Sequence, residues 1–120
     1  MRKIMAVFSQ RRATANGMAK EITPQQLIDM LENGAELVDV RELEEVNEGK
    51  IQNTKHWPLS SFGLRRTEIS KTLPTIFYCR TGLRSLKAAE IAESWTGQGV
   101  FSLQGGYLAY ESQKEEKTEN

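Results

Sequence analysis

Thr75-Ile76-Phe77-Tyr78-Cys79-Arg80-Thr81-Gly82-Leu83-Arg84-Ser85 is the stretch on which the fold and the candidate site both turn. Its first four residues are apolar or β-branched, which predicts a buried strand over Thr75 to Tyr78. Beyond it, Ala88, Ile91, Ala92 and Trp95 recur at helical spacing, which predicts a helix from Ser85 to Trp95. The only cysteine of the chain, Cys79, therefore sits in a strand-to-helix turn. Backbone N–H groups converge there and the helix dipole is positive, so an anion is favoured, and a thiolate over a thiol. Gly82 allows a positive φ or a close approach to a ligand, and successive amides can then point inward as an anion-binding nest. Arg80 and Arg84 add two charges and forked donors for a tetrahedral anion, Thr81 and Ser85 add hydroxyls, and Ser85 is a candidate helix cap. In such settings a thiol pKa falls from ~8.5 to between about 3.5 and 7.5, so Cys79 is expected to be ionised at neutral pH. A lone cysteine is otherwise a small buried hydrophobe. The flanking charges and glycine argue against that here.

Working outward, Val100 to Leu103 reads as a last strand, Gly105-Gly106 as a turn pressed against the cysteine loop, and Tyr107 to about Glu111 as a closing helix. Upstream, Leu37 to Val40 reads as a short buried strand, and the acidic run from Arg41 to Glu48 as a short solvated helix ended by Gly49. Thr23-Pro24-Gln25-Gln26 is a helix start, with Thr23 as cap, Pro24 at the first position and Gln26 completing a capping box. Lys20-Glu21-Ile22 is a candidate edge strand, Lys55 to Trp57 a short strand, and Leu59 to Ser70 a loop with a helical turn or two. Strands alternating with helices imply an α/β fold: a small parallel sheet of about five strands with helices on both faces. Ligands bind beyond the C-terminal strand ends of such sheets. Asp39, Cys79 and Gln104 fall at that rim, with Asp39 and Arg41 expected as a supporting ion pair or loop brace. His56 reads as an ordinary packed or surface histidine, and Trp57 and Trp95 as core.

The 120 residues suit one domain, and 38% hydrophobic with 27% charged residues is the balance of a soluble globular protein. No apolar run approaches the ~20 residues of a membrane span. One cysteine excludes an intrachain disulfide, which points to a reducing compartment, the cytoplasm. It also excludes an internal resolving thiol, so whatever forms on Cys79 is discharged by an outside molecule. The first 17 residues hold four of the 16 basic residues and none of the 16 acidic ones. The remaining body, with 12 basic against 16 acidic residues, is a poor nucleic-acid binder, and its cationic loop reads as a site for a small anion. One histidine and one cysteine suggest no metal and no cofactor. Residues 1–17 are expected to be a disordered basic extension, 18–111 the folded domain and 112–120 a polar, fraying tail. The extension is similar in composition to an organellar transit peptide, but a disordered extension, or a start placed too early with Met18 beginning the chain, is the simpler reading. Nothing in the sequence requires more than a monomer.

From about residue 20 to 111 the chain resembles the rhodanese family of sulfurtransferases in its small single-domain form. The resemblance rests on Val38-Asp39-Val40-Arg41-Glu42, on Gly49-Lys50-Ile51 followed by Pro58, on the C-x-x-G-x-R-S loop from Cys79 to Ser85, and on Gly105-Gly106-Tyr107-Leu108-Ala109-Tyr110. Four markers in order at sensible spacing are specific where one alone is weak. Lys50 stands where the family often has histidine, Asn53-Thr54 replaces Gly-Ala, and Tyr110 replaces a tryptophan. The segment Leu59 to Lys71 is short for the family, which would leave the site open on one side. The resemblance implies that Cys79 takes a sulfur from a small anionic donor such as thiosulfate or from a persulfide. The loop from Arg80 through Thr81, Gly82, Leu83 and Arg84 to Ser85 would hold it, and cyanide or a thiol, protein thiols included, would accept it. Two alternatives stand beside it. One is a non-catalytic rhodanese-like binding or sulfur-carrier module. The other is a phosphatase or arsenate reductase of the same fold, whose C-x5-R loop is one residue longer than the spacing from Cys79 to Arg84.

Overall fold

The computed structural model describes residues 19–119, with side chains as far as residue 114. The basic extension over 1–17 and the alternative start at Met18 lie outside the described residues. Strands β1 (Ala19–Ile22), β2 (Glu36–Asp39), β3 (Lys55–His56), β4 (Thr75–Tyr78) and β5 (Val100–Leu103) form one parallel sheet in the order β1-β5-β4-β2-β3. The helices are α1 (Pro24–Glu32), α2 (Leu43–Asn47), α3 (Leu83–Ala92) and α4 (Gly106–Glu119). Two 3-10 segments, Leu59–Glu68 and Glu93–Trp95, complete the set. No helix among the described residues is long and apolar enough to cross a membrane.

Every residue of β4 is buried, because the strand is central and both its faces are covered. Side chains alternate across a strand, so the sheet divides the core in two. Phe77 and Cys79 join Val38, Val40 and Val100 on the face covered by α3 and the long 3-10 segment. Ile76 and Tyr78 join Leu37, Phe101 and Leu103 on the face that holds Leu27 and Met30 of α1 and, at its margin, Tyr107 and Tyr110 of α4. Trp57, Phe62, Phe77 and Trp95 pack as an aromatic cluster on the α3 side.

The helix starts explain their sequences. Thr23 Oγ1 accepts from the Gln26 amide at 3.1 Å and Gln26 Oε1 accepts from the Thr23 amide at 2.8 Å, so the capping box forms as expected. Three expectations are corrected. Helix α3 begins at Leu83 with Gly82 at its N-cap, so Ser85 is not the cap. It lies in the first turn, and its hydroxyl donates to the Gly82 carbonyl at 3.2 Å. The buried stripe of α3 is Ser85, Ala88, Ala89 and Ala92, which lets the helix lie close to the sheet. Ile91 is exposed instead. Finally, α4 runs on to Glu119 where the chain was expected to fray from Ser112. The tail is rich in Gln, Lys and Glu, which propagate a helix well, and Lys114 pairs with Glu111 one turn back.

Candidate active site

Parallel strands aim their C-terminal ends at one rim, and β4 delivers Cys79 there. The chain must then turn sharply into α3. Gly82 makes that turn at φ +107°. A Cβ on it would lie 3.1 Å from the Gly105 nitrogen and 3.3 Å from the Leu103 carbonyl oxygen, so glycine is required by both conformation and space. The turn brings the Gly82 amide to 3.1 Å and the Ser85 amide to 3.4 Å from Cys79 Sγ, and the Ser85 hydroxyl to 3.5 Å.

Burial pushes the Cys79 thiol up, but the Ser85 hydroxyl and the amides of Ser85, Gly82 and Thr81 outweigh it and hold the pKa below its ordinary value. The thiolate is favoured chiefly by hydrogen bonds. The Arg84 charge acts on it through space, while the Arg84 fork is engaged elsewhere. The fork of Arg84 closes on Glu45 of α2, with Nη1 and Nη2 at 2.8 and 2.7 Å from its two carboxylate oxygens. That bidentate pair holds the Glu45 carboxyl down at about 2. The acidic run is therefore not merely a solvated face: one of its carboxylates straps α2 to the cysteine loop. Arg80, Thr81 and Leu83 present exposed side chains at the rim. Cys79 itself is only 1% exposed, because the loop closes its amides around the sulfur.

The start of α4 holds the loop from behind. The Tyr107 amide donates to the Cys79 carbonyl at 2.8 Å and the Leu108 amide to the Arg80 carbonyl at 3.2 Å. A peptide N–H points opposite its own carbonyl, so anchoring these two carbonyls also fixes the direction of the Arg80 and Thr81 amides. Gly106, at φ +61°, lies against the Cys79 and Arg80 carbonyls, and a Cβ there would collide with both. Gly106→Ala is thus expected to destabilise the fold by about 1–3 kcal/mol through strain and overpacking. Urea unfolding measures this, and an unchanged midpoint would show that the turn is not pressed on the loop.

Asp39 and Arg41 form the second brace. Arg41 Nε and Nη2 donate to the Asp39 carboxylate at 3.0 and 2.8 Å, and the Arg41 amide donates to the same carboxylate at 2.9 Å. Both side chains are buried. Nη2 also donates to the Gly49 carbonyl at 2.7 Å, and the guanidinium lies over the rings of Tyr107 and Tyr78, 4.7 and 5.5 Å from their centres. Burial pulls the Arg41 pKa down, but the Asp39 carboxylate more than offsets it. His56 Nε2 donates to the Arg41 carbonyl at 2.7 Å, which gives that histidine a structural partner.

Comparison with known proteins matches residues 23–113 to the family model for the rhodanese-like domain. The chain belongs to the rhodanese-like family. It is 34% identical over 73 residues to YqhL of Bacillus subtilis, covering 61% of this chain and 58% of that one. It thus spans little more than half the length of that relative. It is 32% identical over 88 residues to the protein named thiosulfate sulfurtransferase GlpE of Glaesserella parasuis, covering 72% of this chain and 82% of that one. The rhodanese-like domain protein of Staphylococcus aureus superposes with a TM-score of 0.69 at 30% identity, covering 76% of this chain and 90% of that one. The five-stranded parallel sheet with helices on both faces is thus the rhodanese-like fold that the resemblance implies.

Two residues of this candidate site carry no mark of their own in the sequence. Glu45 is one charge among several in an acidic run. Tyr107 belongs to the marker from Gly105 to Tyr110, but nothing in the sequence shows that its ring lies against Arg41. Ser102 is a buried polar residue inside an apolar strand, and that contrast is the signal that could have marked it.

Proposed function

We propose that the protein is a sulfurtransferase that carries a sulfane sulfur on Cys79. The observation that supports this most is a sulfur atom facing the Gly82 and Ser85 amides at 3.1 and 3.4 Å, at the end of the central strand. The spacing from Cys79 to Arg84 suits a single sulfur, being one residue tighter than the C-x5-R ring of the phosphate-handling enzymes of this fold. The Cys79 thiolate attacks the outer sulfur of thiosulfate. The new S–S bond forms as the bond to the sulfonate breaks, and its electron pair leaves with sulfite. The loop amides then face the persulfide. Cyanide or a thiolate attacks the terminal sulfur, and the S–S pair returns to Cys79 as thiolate. The family's sulfurtransferase members support this reading. The test is turnover with thiosulfate and cyanide beside an aryl phosphate. Thiocyanate without phosphate release is expected, and phosphate release without thiocyanate overturns the reading.

The 1% exposure of Cys79 favours a second reading, a module that binds a partner without turnover. Absence of both products would select it. On the sulfurtransferase reading, the Glu45–Arg84 strap competes with an anionic donor for the arginine fork. Glu45→Gln is expected to lower KM for thiosulfate by about two- to fivefold, the range of a partly exposed ion pair, with kcat nearly unchanged. Steady-state kinetics with thiosulfate limiting check this. An unchanged or raised KM would mean that Arg84 acts only as a strap.

A further inference from the structure

Ser102 lies in β5, and its place follows from strand parity. It pairs in register with Phe77, two residues before Cys79, so Ser102, Phe77 and Cys79 all face α3. Both Ser102 and Ser85 are fully buried. Their hydroxyl oxygens are 2.8 Å apart, and Ser85 Oγ is 3.5 Å from Cys79 Sγ. The Gly82 carbonyl lies 3.2 Å from Ser85 Oγ and 3.4 Å from Ser102 Oγ. Two buried hydroxyls, one carbonyl and one sulfur thus form a hydrogen-bonded group behind the cysteine loop.

We infer that Ser102 is a positioning residue for the Cys79 thiolate, acting through Ser85 by turning its hydroxyl hydrogen toward the sulfur. This deepens the proposed function by naming what tunes its nucleophile. Each serine hydroxyl has one hydrogen to give. When Cys79 is a thiol, its S–H donates to Ser85 Oγ, and Ser85 donates onward to Ser102 or to the Gly82 carbonyl. When Cys79 ionises, the S–H is gone and the chain reverses. Ser102 then donates to Ser85 Oγ, and Ser85 donates to the thiolate. Without Ser102, the thiol state keeps the Gly82 carbonyl as an acceptor for Ser85. The thiolate state loses the donor to a fully buried oxygen. The loss falls on one protonation state, so it moves the pKa.

The charged groups around the site do not change in this comparison. They are Glu21 of β1, buried and in register with Ser102, Arg80 in the loop, Arg84 on α3 with its partner Glu45 on α2, Glu42 at the start of α2, and the Asp39–Arg41 pair at the end of β2. Tyr78 and Tyr107 stand beside Arg41. Strand β5 contributes no charge, since its residues are Val100, Phe101, Ser102 and Leu103.

The test is the pH dependence of Cys79 alkylation by iodoacetamide, which needs no sulfur donor. It therefore stands or falls apart from sulfur transfer. Ser102→Ala is expected to raise the midpoint by about half a unit to one unit, a three- to tenfold fall in the ionisation constant. Ser102→Thr, which keeps the hydroxyl, is expected to bring it back toward the parent value. In a Ser85→Ala background, Ser102→Ala is expected to add nothing, because the path through Ser85 is already cut. An unchanged midpoint in Ser102→Ala, or a full additional shift in the Ser85→Ala background, overturns the inference. So does a Ser102→Thr protein that is folded by thermal melting yet titrates like Ser102→Ala.

Discussion

Cys79→Ser is expected to lower thiosulfate–cyanide turnover by at least about a thousandfold, as removal of a covalent nucleophile does, while leaving the fold in place. The serine oxygen can accept from the same Gly82 and Ser85 amides that now face the sulfur. The strand-loop-helix geometry therefore keeps its partners, and stability is expected to stay within about 1 kcal/mol of the parent. What is lost is chemical. A hydroxyl is not ionised at neutral pH and forms no persulfide. Retained thiocyanate production in this variant would place the sulfur acceptor elsewhere. Lost turnover with a collapsed melting transition would instead make Cys79 a packing residue.

Asp39→Asn is expected to be the most destabilising of the single changes considered, by about 3–5 kcal/mol. The substitution is nearly isosteric, so packing is not the cause. It strips the compensating charge from a guanidinium that is buried beside two tyrosine rings. Domains of this size have about 5–15 kcal/mol of net stability, so the loss is a large share. The damage also reaches the site. Arg41 holds the Gly49 carbonyl, and its Nη1 donates to the Glu45 carbonyl at 3.4 Å, so a displaced Arg41 loosens the strap on Arg84. Urea unfolding gives the free energy. A loss under about 1 kcal/mol would show that the pair is peripheral to the fold.

The fold was legible where local rules act alone. Thr75 to Tyr78 is a strand to the residue, because a central parallel strand is apolar on both faces and needs no partner to be recognised. Thr23 to Gln26 is a capping box because every atom that makes it is local. Legibility faded where long-range contacts decide. The start of α3 lies at Leu83 because Gly82 turns against the backbone of Leu103 and Gly105, 21 and 23 residues on. Ile91 left the core because the small stripe from Ser85 to Ala92, not the largest apolar side chains, sets how α3 lies on the sheet.

The candidate site divides in the same way. The cysteine, the glycine turn and the convergence of amides follow from a strand-loop-helix sequence. The partner of Arg84 does not, because Glu45 is 39 residues away and is one of four acids between Glu42 and Glu48. Nor does Ser102, which reaches Cys79 only through sheet register and Ser85. The sequence reading credited the arginines with stabilising the thiolate. The larger share falls to neutral donors, the Ser85 hydroxyl and the loop amides, with the Arg84 charge acting through space.

The most direct measurement is the mass of the intact protein after treatment with thiosulfate and removal of excess donor. A gain of one sulfur atom is expected, located on the peptide that holds Cys79 and removed by cyanide with release of thiocyanate. A protein of unchanged mass, or one whose added sulfur resists cyanide, would contradict sulfur transfer through Cys79.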